Sequence, residues 1–171
     1  MDGMGFRLLS HTVAKALIVA VLGAGFTAAP THAGSANPYQ KLDGYWSGGG
    51  TVTPLKGNAE KVSCVATYKT VGPAVTQNVR CAGVEHKFSA SFQLTIQGGK
   101  ISGAWAEQLY AASGGVSGTA SGSSIRARLS GQKFAGRMSI NVQDQRHTIN
   151  IVQLDRGSGA YRPVASVSLH R

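Results

Sequence analysis

The sequence is poor in acidic residues, in cysteine and in the motifs of known catalytic sites. It has 7 Asp and Glu against 17 Lys and Arg, 2 cysteines and 7% aromatic residues. No Gly-x-Ser-x-Gly elbow and no Walker loop occur, and the histidines lack the spacing of a metal site. These absences argue against hydrolase, nucleotide and metal chemistry. We therefore expect a protein that is not an enzyme and needs no cofactor.

A helical period of convincing length is also missing after residue 33, where apolar and polar residues alternate between glycine-rich turns. The segment KFSASFQLTIQ is the clearest case, and SIRARLS and RMSINVQ repeat its pattern. A period of two at short spacing is typical of a β-sandwich or β-barrel, and the short links leave no room for crossover helices. The sequence therefore predicts an all-β fold, an antiparallel up-and-down β-barrel of about 8–10 strands.

The first 33 residues have the pattern of a secretory signal peptide. Arg7, His11 and Lys15 precede an apolar run over residues 16–26, which is too short for a membrane span, and small residues follow up to Ala33. No cysteine lies near this point, which disfavours a lipoprotein. We predict a signal peptide over residues 1–33, a single β-barrel domain over residues 34–171 without a transmembrane span, and a periplasmic or secreted location.

The spacing of the two cysteines places them opposite each other in a predicted β-hairpin. If residues 71–74 form a four-residue loop, Thr70 pairs with Val75, and Cys64 falls directly opposite Cys81. Directly opposed Cβ atoms of antiparallel strands lie within reach of a disulfide bond, and an even number of cysteines in an exported chain favours one. We predict a Cys64–Cys81 disulfide; two unpaired core thiols are the alternative.

A Gly-x-Trp tripeptide occurs twice, at residues 44–46 and 103–105, and ends in Trp46 and Trp105. Near a first strand it resembles the calycin group, the lipocalins and avidins, in which this tryptophan plugs one barrel end. The whole chain resembles uncharacterised exported small β-barrel proteins of Gram-negative bacteria, through G-x-W-S-G-x-G, a Cys-x-x-x-Tyr strand at residues 64–68, a second cysteine and the segment ISGAWAE. The resemblance implies a calycin-like barrel. Later lipocalin and avidin motifs are absent, so it implies no particular ligand.

The segment around Trp105 suggests a ligand site. On a strand, Trp105 and Glu107 share a face with Ile101, Gly103 and Leu109, which argues that this face points inward. A buried Glu107 needs a hydrogen-bond partner, which is either structural or a ligand. The small residues after Tyr110 either shape barrel corners around end-plugging tryptophans or leave a pocket. We place the predicted ligand site at four residues, Trp46, Tyr68, Trp105 and Glu107.

The basic residues have two interpretations. From residue 34 onward there are 15 Lys and Arg against 6 Asp and Glu, and alternation places Arg126, Arg128 and Arg137 on an outer face. Such a patch suits the phosphates of anionic lipid or lipopolysaccharide, or it is a solvated face that deters edge pairing. Few aromatics interleave with these residues, so we expect no nucleic acid partner. His86, His147 and His170 are predicted to be surface residues.

Two functional hypotheses follow. The first is an exported periplasmic β-barrel that binds a small apolar or amphipathic molecule. The alternative is a protein of the cell envelope that binds anionic lipid, glycan or a protein partner, such as an inhibited protease, through its basic outer surface. The two hypotheses place the site inside and outside the barrel, respectively.

Overall fold

The computed structural model describes residues 37–171. The predicted signal peptide, residues 1–33, lies outside the described residues. A short 3₁₀ helix, Pro38–Leu42, precedes ten strands. The strands are β1 Gly44–Val52, β2 Glu60–Val71, β3 Ala74–Ala82, β4 Lys87–Gln97, β5 Lys100–Glu107, β6 Ala112–Ser121, β7 Ser124–Gly131, β8 Gly136–Val142, β9 Arg146–Leu154 and β10 Tyr161–His170.

The ten strands form one closed antiparallel barrel. Each strand pairs with the next along the chain, and β1 pairs with β10 to close the sheet. The inward side chains are buried and the outward ones are exposed along most strands, as in β8, where burial alternates at every residue. The predicted up-and-down barrel is confirmed, and its count of ten lies within the predicted range.

The hairpin of β2 and β3 contains the predicted disulfide. Its turn is shorter than predicted, because Val71 and Ala74 pair and leave two residues between them. The register is nevertheless the predicted one, with Thr70 opposite Val75 and Cys64 opposite Cys81. Cys64 and Cys81 form a disulfide bond, so this prediction is confirmed.

The seam between β1 and β10 depends on glycine. A Cβ atom on Gly48 or Gly50 would overlap the backbone of β10, at the carbonyl oxygens of Ser168 and Ser166. Both glycines belong to the inward-facing set of β1 that includes the buried Trp46. Glycine therefore lets the first and last strands approach closely enough to complete the barrel.

The two ends of the barrel differ. At one end, here called the closed end, Asn37 caps the N-terminus of the 3₁₀ helix, because its side chain accepts a hydrogen bond from the Tyr39 amide. Tyr39 and Leu42 on this helix are fully buried, and Thr70 of β2 donates a hydrogen bond to the Tyr39 carbonyl. The other end, here called the open end, is surrounded by the loops at residues 53–59, 83–86, 108–111, 132–135 and 155–160.

One predicted inward residue faces solvent. β5 ends at Glu107, two residues before Leu109, whose side chain is exposed. The chain turns here because the Glu107 carboxylate accepts a hydrogen bond from the Tyr110 amide, and Ala111 has a left-handed backbone with φ of 47°. The next strand begins at Ala112, earlier than the sequence indicates.

Candidate functional site

A cavity of about 530 Å³ occupies the open end of the barrel. Such a volume is typical of small-molecule sites, which are mostly apolar with a few polar groups. The apolar wall includes Phe88, Phe92, Trp105, Leu129, Phe134 and Ile149. The polar residues that line it are His86, Glu107, Tyr110, Lys133 and Gln153. The arrangement suits a molecule with a large apolar part and a small polar part.

Trp105 forms a fixed part of this wall. Its indole nitrogen Nε1 donates a 3.2 Å hydrogen bond to the Ser130 carbonyl, and its ring meets Phe134 edge to face at a centroid distance of 5.6 Å. Gly131 leaves room for the ring, because a Cβ there would lie 3.1 Å from Trp105 Cζ2. The structure thus places this predicted site residue at the cavity, with its polar atom already bonded.

Glu107 also lines the cavity and is 4% exposed. Its oxygen Oε1 accepts a 2.8 Å hydrogen bond from the Ser89 amide, and Oε2 accepts a 2.7 Å bond from the Tyr110 amide. A buried carboxylate is stable when such donors replace water. Glu107 therefore ties the loop at residues 108–111 to β4 as well as facing the cavity.

A carboxylate and a histidine form a pair at the rim. Glu60 Oε2 lies 2.7 Å from His86 Nδ1, and Glu60 also accepts hydrogen bonds from the amides of Glu85 and His86. The Glu85 amide, followed by the His86 side chain, holds the pKa of Glu60 below its usual range. Glu60 is thus an ionised acceptor that fixes the orientation of the His86 ring, and His86 lines the cavity.

Trp46 and Tyr68 lie at the closed end and are not among the residues that line the cavity. Trp46 is fully buried, donates a 2.6 Å hydrogen bond to the Leu42 carbonyl and meets His147 edge to face. Tyr68 Oη lies 3.0 Å from His147 Nε2. The structure therefore brings Trp105 and Glu107 together at one end, and Trp46 and Tyr68 together at the other. Trp46 has the end-plugging position that the resemblance implies.

The prediction that all three histidines are surface residues was wrong for His147. Its side chain is fully buried at the closed end, and it stacks against both Trp46 and Tyr68. Burial lowers the pKa of His147 from 6.5 to about 4. The imidazole is therefore neutral at pH 7 and forms part of the core.

The three predicted surface arginines share one outer face. Arg128 of β7 pairs directly with Arg137 of β8, Arg126 lies two residues along, and all three line a shallow groove of about 420 Å³. The guanidinium of Arg137 stacks on the Tyr161 ring at 4.1 Å. Within residues 37–171 no carboxylate lies within 4 Å of these guanidinium nitrogens.

Sequence reasoning missed three cavity residues that come from loops or strand ends, His86, Lys133 and Phe134. Alternation assigns faces only inside a strand, and these residues stand where the strand pattern stops. The sequence pattern begins the two strands too early, at His86 and at Lys133, whereas the structure begins them at Lys87 and Gly136 and leaves these residues in loops. Only the connectivity of the barrel shows that those loops meet at the same end.

Metal-ligating clusters and helices able to cross a membrane are both absent from residues 37–171. No cluster of three or more His, Cys, Asp or Glu side chains that could hold a metal ion occurs there. No helix in that part of the chain has the length and apolarity to cross a membrane.

Two solved structures share the fold. Rv2717c from M. tuberculosis matches with a TM-score of 0.65 and 17% identity, over 80% of this chain and 98% of its own. The S-type phycobiliprotein lyase CPES from Guillardia theta matches with a TM-score of 0.52 and 12% identity, over 77% of this chain and 88% of its own. Neither a family model nor a curated protein sequence matches. The similarity shows that this chain shares the barrel fold of both structures.

Proposed function

We propose that this chain is an exported β-barrel protein that binds a small apolar or amphipathic molecule in the cavity at the open end, without chemical conversion. The observation that carries this proposal is the cavity itself, whose wall is mainly apolar and aromatic. A folded chain normally fills its interior to crystal-like density, so an apolar space of this size has to be explained. Ligand binding explains it.

The difference between the two ends supports this proposal. The 3₁₀ helix and Trp46 fill the closed end, whereas loops surround the open end and leave the interior accessible. In other small β-barrels, side chains fill the whole interior. A ligand therefore has one direction of entry and meets Trp105 and Phe134 at the wall.

The proposed export rests on two independent features. The sequence of residues 1–33 has the charge, apolar run and small residues of a signal peptide. The barrel contains the Cys64–Cys81 disulfide, and stable structural disulfides are typical of oxidising compartments. Both features support a periplasmic or secreted location.

The proposal is tested with the neutral fluorescent probe N-phenyl-1-naphthylamine. Binding in the cavity places the probe beside Trp105, so tryptophan excitation is expected to transfer energy to it. Trp105→Phe is expected to reduce this transfer more than Trp46→Phe does, because Trp105 lines the cavity and Trp46 does not, while the directly excited fluorescence of the bound probe persists. Trp46 lies at the opposite end and serves as the internal comparison.

A matched pair of alanine substitutions tests where the probe binds. Ala112 lines the cavity, so Ala112→Trp is expected to weaken probe binding at least tenfold by occupying the space. Ala104→Trp adds the same ring to the exposed face of β5 and should leave binding unchanged. Thermal unfolding reports whether each variant is folded. A wild-type protein that does not bind the probe, or equal binding by both variants, contradicts the proposal.

The outer arginines favour a second candidate function, attachment to anionic lipid of the cell envelope. Arg128 and Arg137 stand directly opposite each other, and like charges in this position repel unless an anion lies between them. An arginine fork binds phosphate through two parallel hydrogen bonds. The groove at these residues is therefore a candidate phosphate site.

Vesicle binding tests this second candidate. The chain is expected to bind phosphatidylglycerol vesicles and to lose that binding as salt rises, because salt screens exposed charges. Arg126→Ala with Arg128→Ala and Arg137→Ala should weaken it at least tenfold. Binding that is indifferent to both salt and the triple substitution would exclude the arginine surface as the site.

A further inference from the structure

The ionisable side chains at the cavity differ in whether their hydrogen-bonding capacity is already used. Two carboxylates lie at or near the rim, Glu107 in the wall and Glu60 behind His86. Glu107 accepts hydrogen bonds from two backbone N–H groups. Glu60 accepts hydrogen bonds from two backbone N–H groups and from His86 Nδ1. The protein itself thus solvates both negative charges. Neither carboxylate needs a partner from a ligand.

Lys133 is a cation at the rim, and its hydrogen-bond donors are only partly occupied. Lys133 Nζ donates one 3.0 Å hydrogen bond, to the Tyr110 carbonyl, whereas an ammonium group carries three N–H donors. No carboxylate within residues 37–171 forms a salt bridge with Lys133. Its neighbour Phe134 packs on Trp105, which fixes the loop and keeps Lys133 at the cavity. The Lys133 ammonium group therefore has N–H donors that a ligand can use, beside the apolar wall of the cavity.

We propose that the ligand of this cavity is an anionic amphiphile, with its acidic group bound by Lys133 at the rim and its apolar part against Phe88, Phe92 and Leu129. This inference rests on the proposed function, because it names the class of molecule that the cavity takes. A carboxylate, sulfonate or phosphate monoester can each accept the two remaining N–H donors of the ammonium group. The excess of Lys and Arg over Asp and Glu also favours an anion.

Displacement of bound N-phenyl-1-naphthylamine tests the acidic group separately from the cavity. Dodecanoate, dodecanesulfonate and dodecyl phosphate are compared with dodecanol, which has the same chain and no charge, each below its micelle concentration or solubility limit. We expect at least one of the three acids to displace the probe at about tenfold lower concentration than dodecanol, because a hydrogen bond to a charged group contributes more than a neutral one. The ranking of the three identifies the acidic group.

Two lysine variants complete the test. Lys133→Met keeps the length of the side chain and removes the charge, so the acid and dodecanol are expected to displace the probe at similar concentrations in this variant. Lys100→Met makes the same change at an exposed position at the start of β5, at the closed end, and should keep the wild-type preference. If the probe binds but no acid outcompetes dodecanol, or the preference survives Lys133→Met, the inference is wrong and the proposed function stands. If the probe does not bind at all, both are wrong.

Discussion

At the residue scale, the closed end contains polar side chains in an otherwise apolar core. Burial raises the pKa of Tyr68, so its phenol keeps the proton, and Tyr68 Oη shares a 3.0 Å hydrogen bond with His147 Nε2. His147 Nδ1 is a buried atom with no hydrogen-bond partner among the described residues. A second proton on His147 would create a charge inside this core, which is costly.

We therefore predict that His147 makes the barrel sensitive to mild acid. The unfolded chain takes up the proton near pH 6.5 and the folded chain near pH 4, so the unfolded state binds more protons between these values. The stability from neutral His147 is fully present above pH 6.5 and is lost as the pH falls towards 4. The loss amounts to about 3 kcal/mol in the free energy of unfolding.

Urea unfolding at pH 7 and pH 4.5 measures this effect in the wild type and in His147→Gln, which has no titrating ring. The wild type should lose more stability than the variant, by about 2.5 kcal/mol. His170→Gln removes an exposed histidine and should behave as the wild type does. The same loss in wild type and His147→Gln would show that other groups cause the acid sensitivity.

The residues of the site were partly predictable. Alternation around Trp105 correctly predicted the inward direction of Glu107, because both stand on the same strand face. The same rule places His147 on the inward face of its strand with Ile149. The prediction of a surface position for His147 rested on the polarity of histidine and disregarded this alternation. Lys133 stands in a loop, where no period exists. Its place at the cavity follows only from the packing of Phe134 on Trp105.

At the element scale, the strands were the most predictable part of the molecule. Most inner positions of the strands are apolar and most outer ones are polar, so the period of two locates both the strand and its face. The pairing of β2 with β3 was predictable as well, since the short turn fixes the register and the register aligns Cys64 with Cys81. Local sequence determined these features because the interacting residues are close along the chain.

Strand ends and barrel closure were less predictable. β5 ends where the Glu107 carboxylate accepts a hydrogen bond from the Tyr110 amide, and the alternation of apolar and polar residues does not reveal this contact. β1 meets β10 across more than one hundred residues, and closure depends on the number and tilt of all strands together. The glycines of β1 allow the close approach, but the sequence alone does not identify their partner strand.

At the scale of the whole molecule, the sequence left open whether the interior is filled or forms a pocket. In the structure the interior is filled at the closed end and forms a pocket at the open end. Trp46, Tyr39 and Leu42 fill the closed end, whereas Trp105 forms the wall of the cavity at the open end. Two similar Gly-x-Trp tripeptides thus serve different ends. β1 and β5 run in the same direction, but Trp46 is the third residue of β1 and Trp105 is the sixth residue of β5, so Trp46 lies nearer the closed end and Trp105 nearer the open end. The 3₁₀ helix covers only the closed end.

The central claim is that the open-end cavity holds a small molecule, and native mass spectrometry tests it most directly. The full chain is expressed with export to a bacterial periplasm, and the mature protein is measured under native and denaturing conditions. We predict a native mass above that of the bare chain, with an excess that disappears on denaturation and is absent in Ala112→Trp. A bare native mass, unchanged after incubation with N-phenyl-1-naphthylamine or dodecanoate, would contradict the account.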